Sequence, residues 1–172
     1  MTIDLLAIAA SNGENLLLAE RFAASGRSHG LAAEVLDLTV LPLPLYTPRV
    51  HAEAGIPEAV GSLSRQLQAA PRWVICAPEY NGSIPPVLSS AIAWLSVQGE
   101  DFRLLFNGRP IVIASHSGGG GYTVLTALRL QLAHLGAHVI GRQLVSNTAR
   151  PARDESIDDL VRRLRQLEPI EI

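Results

Sequence analysis

A parallel, doubly wound α/β sheet is predicted by three features: apolar runs of strand length, helical spacing between them, and turn-like loops directly after the runs. The first run, Met1 to Ala10, is interrupted only by Thr2 and Asp4 and stops at Ser11-Asn12-Gly13. From Glu14 the spacing becomes helical through Leu17, Glu20, Arg21 and Ala24, and it closes near Gly26 to Gly30. Ala32 to Leu38 reads as the second strand. The proline-punctuated stretch from Leu41 to Pro57 reads as surface loop without regular helix, since each proline lacks an amide donor and constrains its predecessor.

Helical spacing returns over Ile56 to Ala69, and a third apolar run, Arg72 to Ala77, stops at Pro78. Ser83 to Gln98 is helical in length after Pro86 and contains no charged residue. The strand Pro110 to Ser115 follows, then Ser117 and four glycines, then an apolar helix from Tyr122 to Leu135. Ala137 to Ile140 supplies a fifth strand, and Arg153 to Leu167 alternates apolar and charged residues as an amphipathic last helix. Apolar strands of this kind are covered on both faces. No repeat and no second domain interrupts the pattern, so residues 1–172 read as one domain.

Composition narrows the function classes. The 172 residues are 48% hydrophobic and 17% charged with a net charge of -2, which provides no positive field for nucleic acid or anionic lipid. The single cysteine, Cys76, lies inside an apolar run and reads as a buried strand thiol. Asp4 stands where a signal peptide carries basic residues, and no apolar run approaches the roughly 18 residues of a membrane span. The expectation is a cytoplasmic protein with no membrane partner.

Ligands of open parallel sheets bind beyond the carboxyl ends of the strands, near the point where strand order reverses. Three loops fall there. Ser11-Asn12-Gly13-Glu14-Asn15 offers hydroxyl, amide and helix N-terminal groups, which suit either an anion such as phosphate or an ordinary cap. Pro78-Glu79-Tyr80-Asn81-Gly82-Ser83 combines a proline, an aromatic ring, an amide and a glycine, and so presents backbone to a flat ring. Read as a plain turn, it leaves Tyr80 and Asn81 without a role. Ser115 through Gly121 carries the four glycines, which admit close ligand approach or serve as a flexible connector. His116 within it reads either as a ligand contact or as a surface residue.

Pro78-Glu79-Tyr80-Asn81-Gly82-Ser83-Ile84-Pro85, with Val87-Leu88 and Ala91-Ile92-Ala93-Trp94-Leu95-Ser96, closely resembles the signature and following helix of the NADPH-dependent FMN reductase family. Asp37-Leu38, Leu41-Pro42-Leu43-Pro44-Leu45-Tyr46, Gly118-Gly119 and Leu135-Gly136-Ala137 are similar to it too. This resemblance implies a flavodoxin-like, five-stranded parallel sheet in the order 2-1-3-4-5. It also implies FMN as cofactor, NADPH or NADH as donor, and a small-molecule acceptor such as a flavin or quinone. By the same resemblance Pro78, Glu79, Tyr80, Asn81 and Gly82 border the isoalloxazine ring. Ser115, His116, Ser117, Gly118 and Gly119 approach it from another side, and Ser11 with Asn15 belongs to the phosphate loop. One departure stands out: the family's phosphate loop is longer and carries an arginine, whereas here only Asn12, Gly13 and Glu14 separate Ser11 from Asn15.

With a flavin present, the hydride chemistry belongs to the cofactor and no protein acid, base or metal is required. The alternatives are a flavin-binding electron carrier and a non-catalytic module with weakened FMN binding. Val87, Leu88, Ala91, Ile92, Trp94 and Leu95 spread beyond one helical stripe, which predicts a second covering surface from a homodimer or homotetramer partner.

Overall fold

The computed structural model describes residues 3–170, so Met1 and Thr2 of the expected first strand lie outside it. Its elements in chain order are β1 (Leu5–Ala9), α1 (Glu14–Ser28), β2 (Ala33–Asp37), a 3-10 turn (Leu38–Val40), α2 (Pro48–Ala54), α3 (Glu58–Ala69), β3 (Trp73–Cys76), α4 (Pro86–Ser96), β4 (Pro110–His116), α5 (Tyr122–His134), β5 (His138–Val139), β6 (Leu144–Ser146) and α6 (Asp154–Leu164).

The strands pair in the order β2-β1-β3-β4-β5, all parallel, as expected from the sequence. The edge position beside β4 is filled by two segments rather than one. β5 pairs with Pro110 and Ile111, and β6, which the sequence reading did not foresee, pairs with Ala114, Ser115 and His116. Arg129 of α5 holds the gap between them by donating to the carbonyls of Val139 and Ile140 and to the Gln143 amide oxygen.

Strand alternation sorts the core into two layers. Leu5, Ala7, Ala9, Val74, Cys76, Val112 and Ala114 face α1 and α6, where Phe22, Ile157 and Leu160 are buried. Leu6, Ile8, Trp73, Ile75, Ile111 and Ile113 face α3, α4 and α5. On this face Ala7, Ala9 and Ala33 are small, and α1 sits close to the sheet. A Cβ on Gly26 would stand 3.0 Å from that of Ala33.

One expectation needs correction. The stretch from Leu41 to Pro57 does contain a helix, α2, because Pro48 occupies its first turn, where a missing amide costs nothing. Thr47 caps it by accepting from the Val50 N–H at 3.0 Å, and Gly55 at φ 71° ends it. The same stretch also covers α4. Trp94 Nε1 donates to the Pro44 carbonyl at 2.7 Å, the Tyr46 N–H donates to Ser90 Oγ at 2.9 Å, and the Tyr46 ring meets Trp94 edge-on at 5.0 Å. Trp94 is thus covered from within the chain.

Candidate functional site

Strand order reverses between β1 and β3, and the loops after β1, β3, β4 and β6 share the rim at their carboxyl ends. The loop after β1 is the shortest. It runs from half-buried Ser11 through exposed Asn12 into α1, whose N-terminus has no side-chain cap. Glu14 occupies the first helical position, where its charge complements the helix dipole. The Asn15 side chain is buried and does not face outward. Its Nδ2 donates to the His116 carbonyl at 3.0 Å and its Oδ1 accepts from the His116 N–H at 2.9 Å.

After β3, buried Pro78 leads into a two-residue hairpin turn. Tyr80 and Ser83 exchange backbone hydrogen bonds of 3.1 and 3.0 Å, with Asn81 at φ 51° and Gly82 at φ 71° between them. Two positive φ values define the type I′ turn that Asn-Gly favours. Its tip, Tyr80 to Gly82, is exposed. Glu79 turns away from the tip, and its Oε2 accepts from the Thr123 and Val124 N–H groups at 3.1 and 3.2 Å, capping α5. The glycine loop passes over the same carboxylate: a Cβ on Gly119 would lie 2.9 Å from Glu79 Oε1. Glu79 therefore ties the second and third loops together.

In the third loop Ser117 is buried and donates its N–H to the Ser146 carbonyl at 3.0 Å, while Gly120 turns back onto the Ser117 carbonyl at 3.1 Å. Gly121, at φ 72°, must be glycine, since a Cβ there would meet Ser115 Oγ at 2.7 Å. Ser115 is fully buried and its hydroxyl has no hydrogen-bond partner. Gly118 and Gly119 are exposed, and a Cβ on Gly118 would meet nothing within 4 Å. His116 places Nδ1 3.4 Å from Ser146 Oγ and 4.0 Å from the Glu14 carboxylate. Ser146 Oγ gives its own proton to the Ser115 carbonyl at 3.1 Å.

The predicted residues are thus gathered on one rim. Tyr80, Asn81, Gly82, Gly118 and Gly119 are exposed, Asn15 and Glu79 are committed inside and hold the loops, and Ser115 is buried with its hydroxyl unpaired. Ser146 is the member that sequence reasoning missed, because β6 is three residues long and carries no strand signal of its own. Such a rim offers peptide N–H and carbonyl groups to the edge of a flat, polar-rimmed ring. Away from the surface, burial pushes the Cys76 thiol up, so it stays protonated and takes no part in the rim. Among the described residues no group of three His, Cys, Asp or Glu is placed to hold a metal, and no helix is long and apolar enough to cross a membrane.

Comparison with known proteins bears on the family and the fold. A family model described as NADPH-dependent FMN reductase matches residues 3–150. A quinone reductase of Escherichia coli (strain K12) is 34% identical over 139 residues, covering 74% of this chain and 72% of the relative. An NAD(P)H-dependent FMN reductase of Pseudomonas aeruginosa is 33% identical over 143 residues, covering 80% and 74%. Among solved structures, FerB, a flavoenzyme NAD(P)H:(acceptor) oxidoreductase from Paracoccus denitrificans, superposes with a TM-score of 0.75 at 19% identity over 95% of this chain and 96% of that one. A flavodoxin from Bacillus cereus gives 0.65 at 13% identity over 95% and 98%. At those identities the two structures speak for the fold alone.

Proposed function

The chain belongs to the NADPH-dependent FMN reductase family, and on that premise we propose that its working site is the rim above β3 and β4. It is an FMN-dependent oxidoreductase that takes electrons from NADPH or NADH and passes them to small acceptors of the flavin and quinone kind. A bound flavin supplies hydride acceptance and onward electron transfer. The protein supplies orientation and an open face.

The observation that carries this reading is the Glu79 bridge, which holds the Tyr80–Ser83 turn and the glycine loop side by side. With no side chain on Gly82, Gly118 or Gly119, backbone donors and acceptors there meet the ring edge directly. The residues present fit the isoalloxazine half of FMN. Pro78, Tyr80, Asn81 and Gly82 would border the ring on one side, and Ser117, Gly118 and Gly119 on the other. Ser11 and the uncapped amides of α1 would face the phosphate. Glu79 and Asn15 would act by fixing these loops.

The test is the visible spectrum of the protein with FMN, followed by NADPH and NADH oxidation with and without a quinone. Turnover with no added reductase is expected, and its absence despite flavin binding would favour an electron carrier. Because little aromatic cover lies over the rim, both substrates use one face in turn. Double-reciprocal lines should be parallel across a grid of the two substrates.

The same reading includes a homodimer or homotetramer, supported by the exposed Leu45, Leu104, Tyr122 and Leu130. Light scattering at micromolar concentration checks it, and a strict monomer removes it. A cytoplasmic site of action follows from the need for a reduced nicotinamide pool, and cell fractionation tests it.

A further inference from the structure

FMN differs from riboflavin by one phosphate, and that group normally binds where cationic side chains and helix amides converge. All fourteen basic residues of this chain are arginines, and none lies among its first twenty residues. Arg21, nearest in sequence to the first loop, is spent on Asp154 at 2.6 Å and on the Ala152 carbonyl. Arg150, beyond β6, lines a groove with Pro151, Ala152 and Ser156. The Asn15 amide, which could have donated to a phosphate, is consumed at both ends by the His116 peptide. What the N-terminus of α1 does present is the Glu14 carboxylate, 63% exposed and leaning toward His116 at 4.0 Å.

Resting on the flavin reading above, we propose that this chain recognises flavin by its ring and gains no net affinity from the phosphate, so that riboflavin is bound and reduced as readily as FMN. The helix amides attract a phosphate while the Glu14 carboxylate on the same turn repels it, and the two effects oppose each other. The substrate class widens from flavin nucleotides to flavins in general.

Titration of riboflavin and FMN into flavin-free protein, followed by quenching of flavin fluorescence, reads this without turnover. The two dissociation constants are expected to agree within about threefold, where one well-made phosphate contact would separate them by more than tenfold. Glu14→Gln should tighten FMN by about fivefold, the worth of one like charge about 4 Å away in water. It should leave riboflavin unchanged, which also shows that the variant is folded. Raising salt screens the attraction and the repulsion together, so the ratio of the two dissociation constants should stay within about threefold. FMN binding tenfold or more tighter than riboflavin, or weakening with salt relative to riboflavin beyond that range, would overturn the proposal and leave the flavin reading standing. Failure of both flavins to bind would overturn the two together.

Discussion

The side-chain amide of Asn15 brackets a single residue of β4, donating to the His116 carbonyl at 3.0 Å and accepting from the His116 N–H at 2.9 Å. The loop after β1 is thereby fastened across the sheet to the loop after β4. Asn15→Ala leaves that N–H and carbonyl unpaired, at about 1–3 kcal/mol for each group shut away from water. Urea unfolding should show a lower midpoint at unchanged slope, together with weaker binding of both flavins.

Gly121→Ala should be among the most damaging single-methyl changes on the rim. A left-handed φ costs a non-glycine residue about 1–2 kcal/mol, and the new Cβ also collides with Ser115 Oγ. Gly118→Ala, with open space above it, should stay within about 0.5 kcal/mol of the parent. Thermal melts of the pair check the contrast, at about 2–4 °C per kcal/mol for a chain of this size.

Ser115→Ala removes a buried hydroxyl that has no partner, so it should be neutral or stabilising. Combined with Gly121→Ala it should restore part of the lost melting temperature. Strictly additive losses would show that the two side chains do not compete for one space.

Acid stability should depend on α6. A hydrogen bond from His29, opposed by partial desolvation and reinforced by the charges of His29 and Arg162, holds the Asp158 carboxyl below the usual carboxylate range. A group with a lowered folded pKa stabilises above its unfolded value, near 3.9, and loses that contribution as pH falls through the folded value. Asp158→Asn should therefore melt lower than the parent at pH 6, with the gap closing as pH falls below the usual carboxylate range.

Cys76 is fully buried between the sheet and the helix layer, and burial keeps its thiol protonated. An alkylating reagent should leave the native protein unmodified and label it stoichiometrically in urea. Labelling in native buffer faster than global unfolding would reveal local opening of β3.

The parallel sheet and its two covered faces were legible because β1, β3 and β4 are almost purely apolar, whereas the strand order came from the family resemblance. The rim was legible at Asn81-Gly82 and in the glycine run, where residue type dictates backbone shape. Other features depended on long-range contacts. Asn15 and Glu79 look like ligand groups in the sequence, yet their partners lie 101 and 44 residues away and turn them inward. α2 is masked by its prolines, although Pro48 stands in the first helical turn, where proline is tolerated. β6 was hidden because its place is set by β4 and Arg129, not by its own three residues.

The divided edge beside β4 bears on how copies of the chain meet in crowded solution. A long unpaired edge is a template on which a second sheet can grow, and natural proteins blunt such edges by shortening them. Here the edge beside β4 consists of a two-residue and a three-residue piece, with Arg129 filling the break. Along this edge no continuous row of free peptide groups is left for strand-by-strand aggregation, and straightening the break would create one.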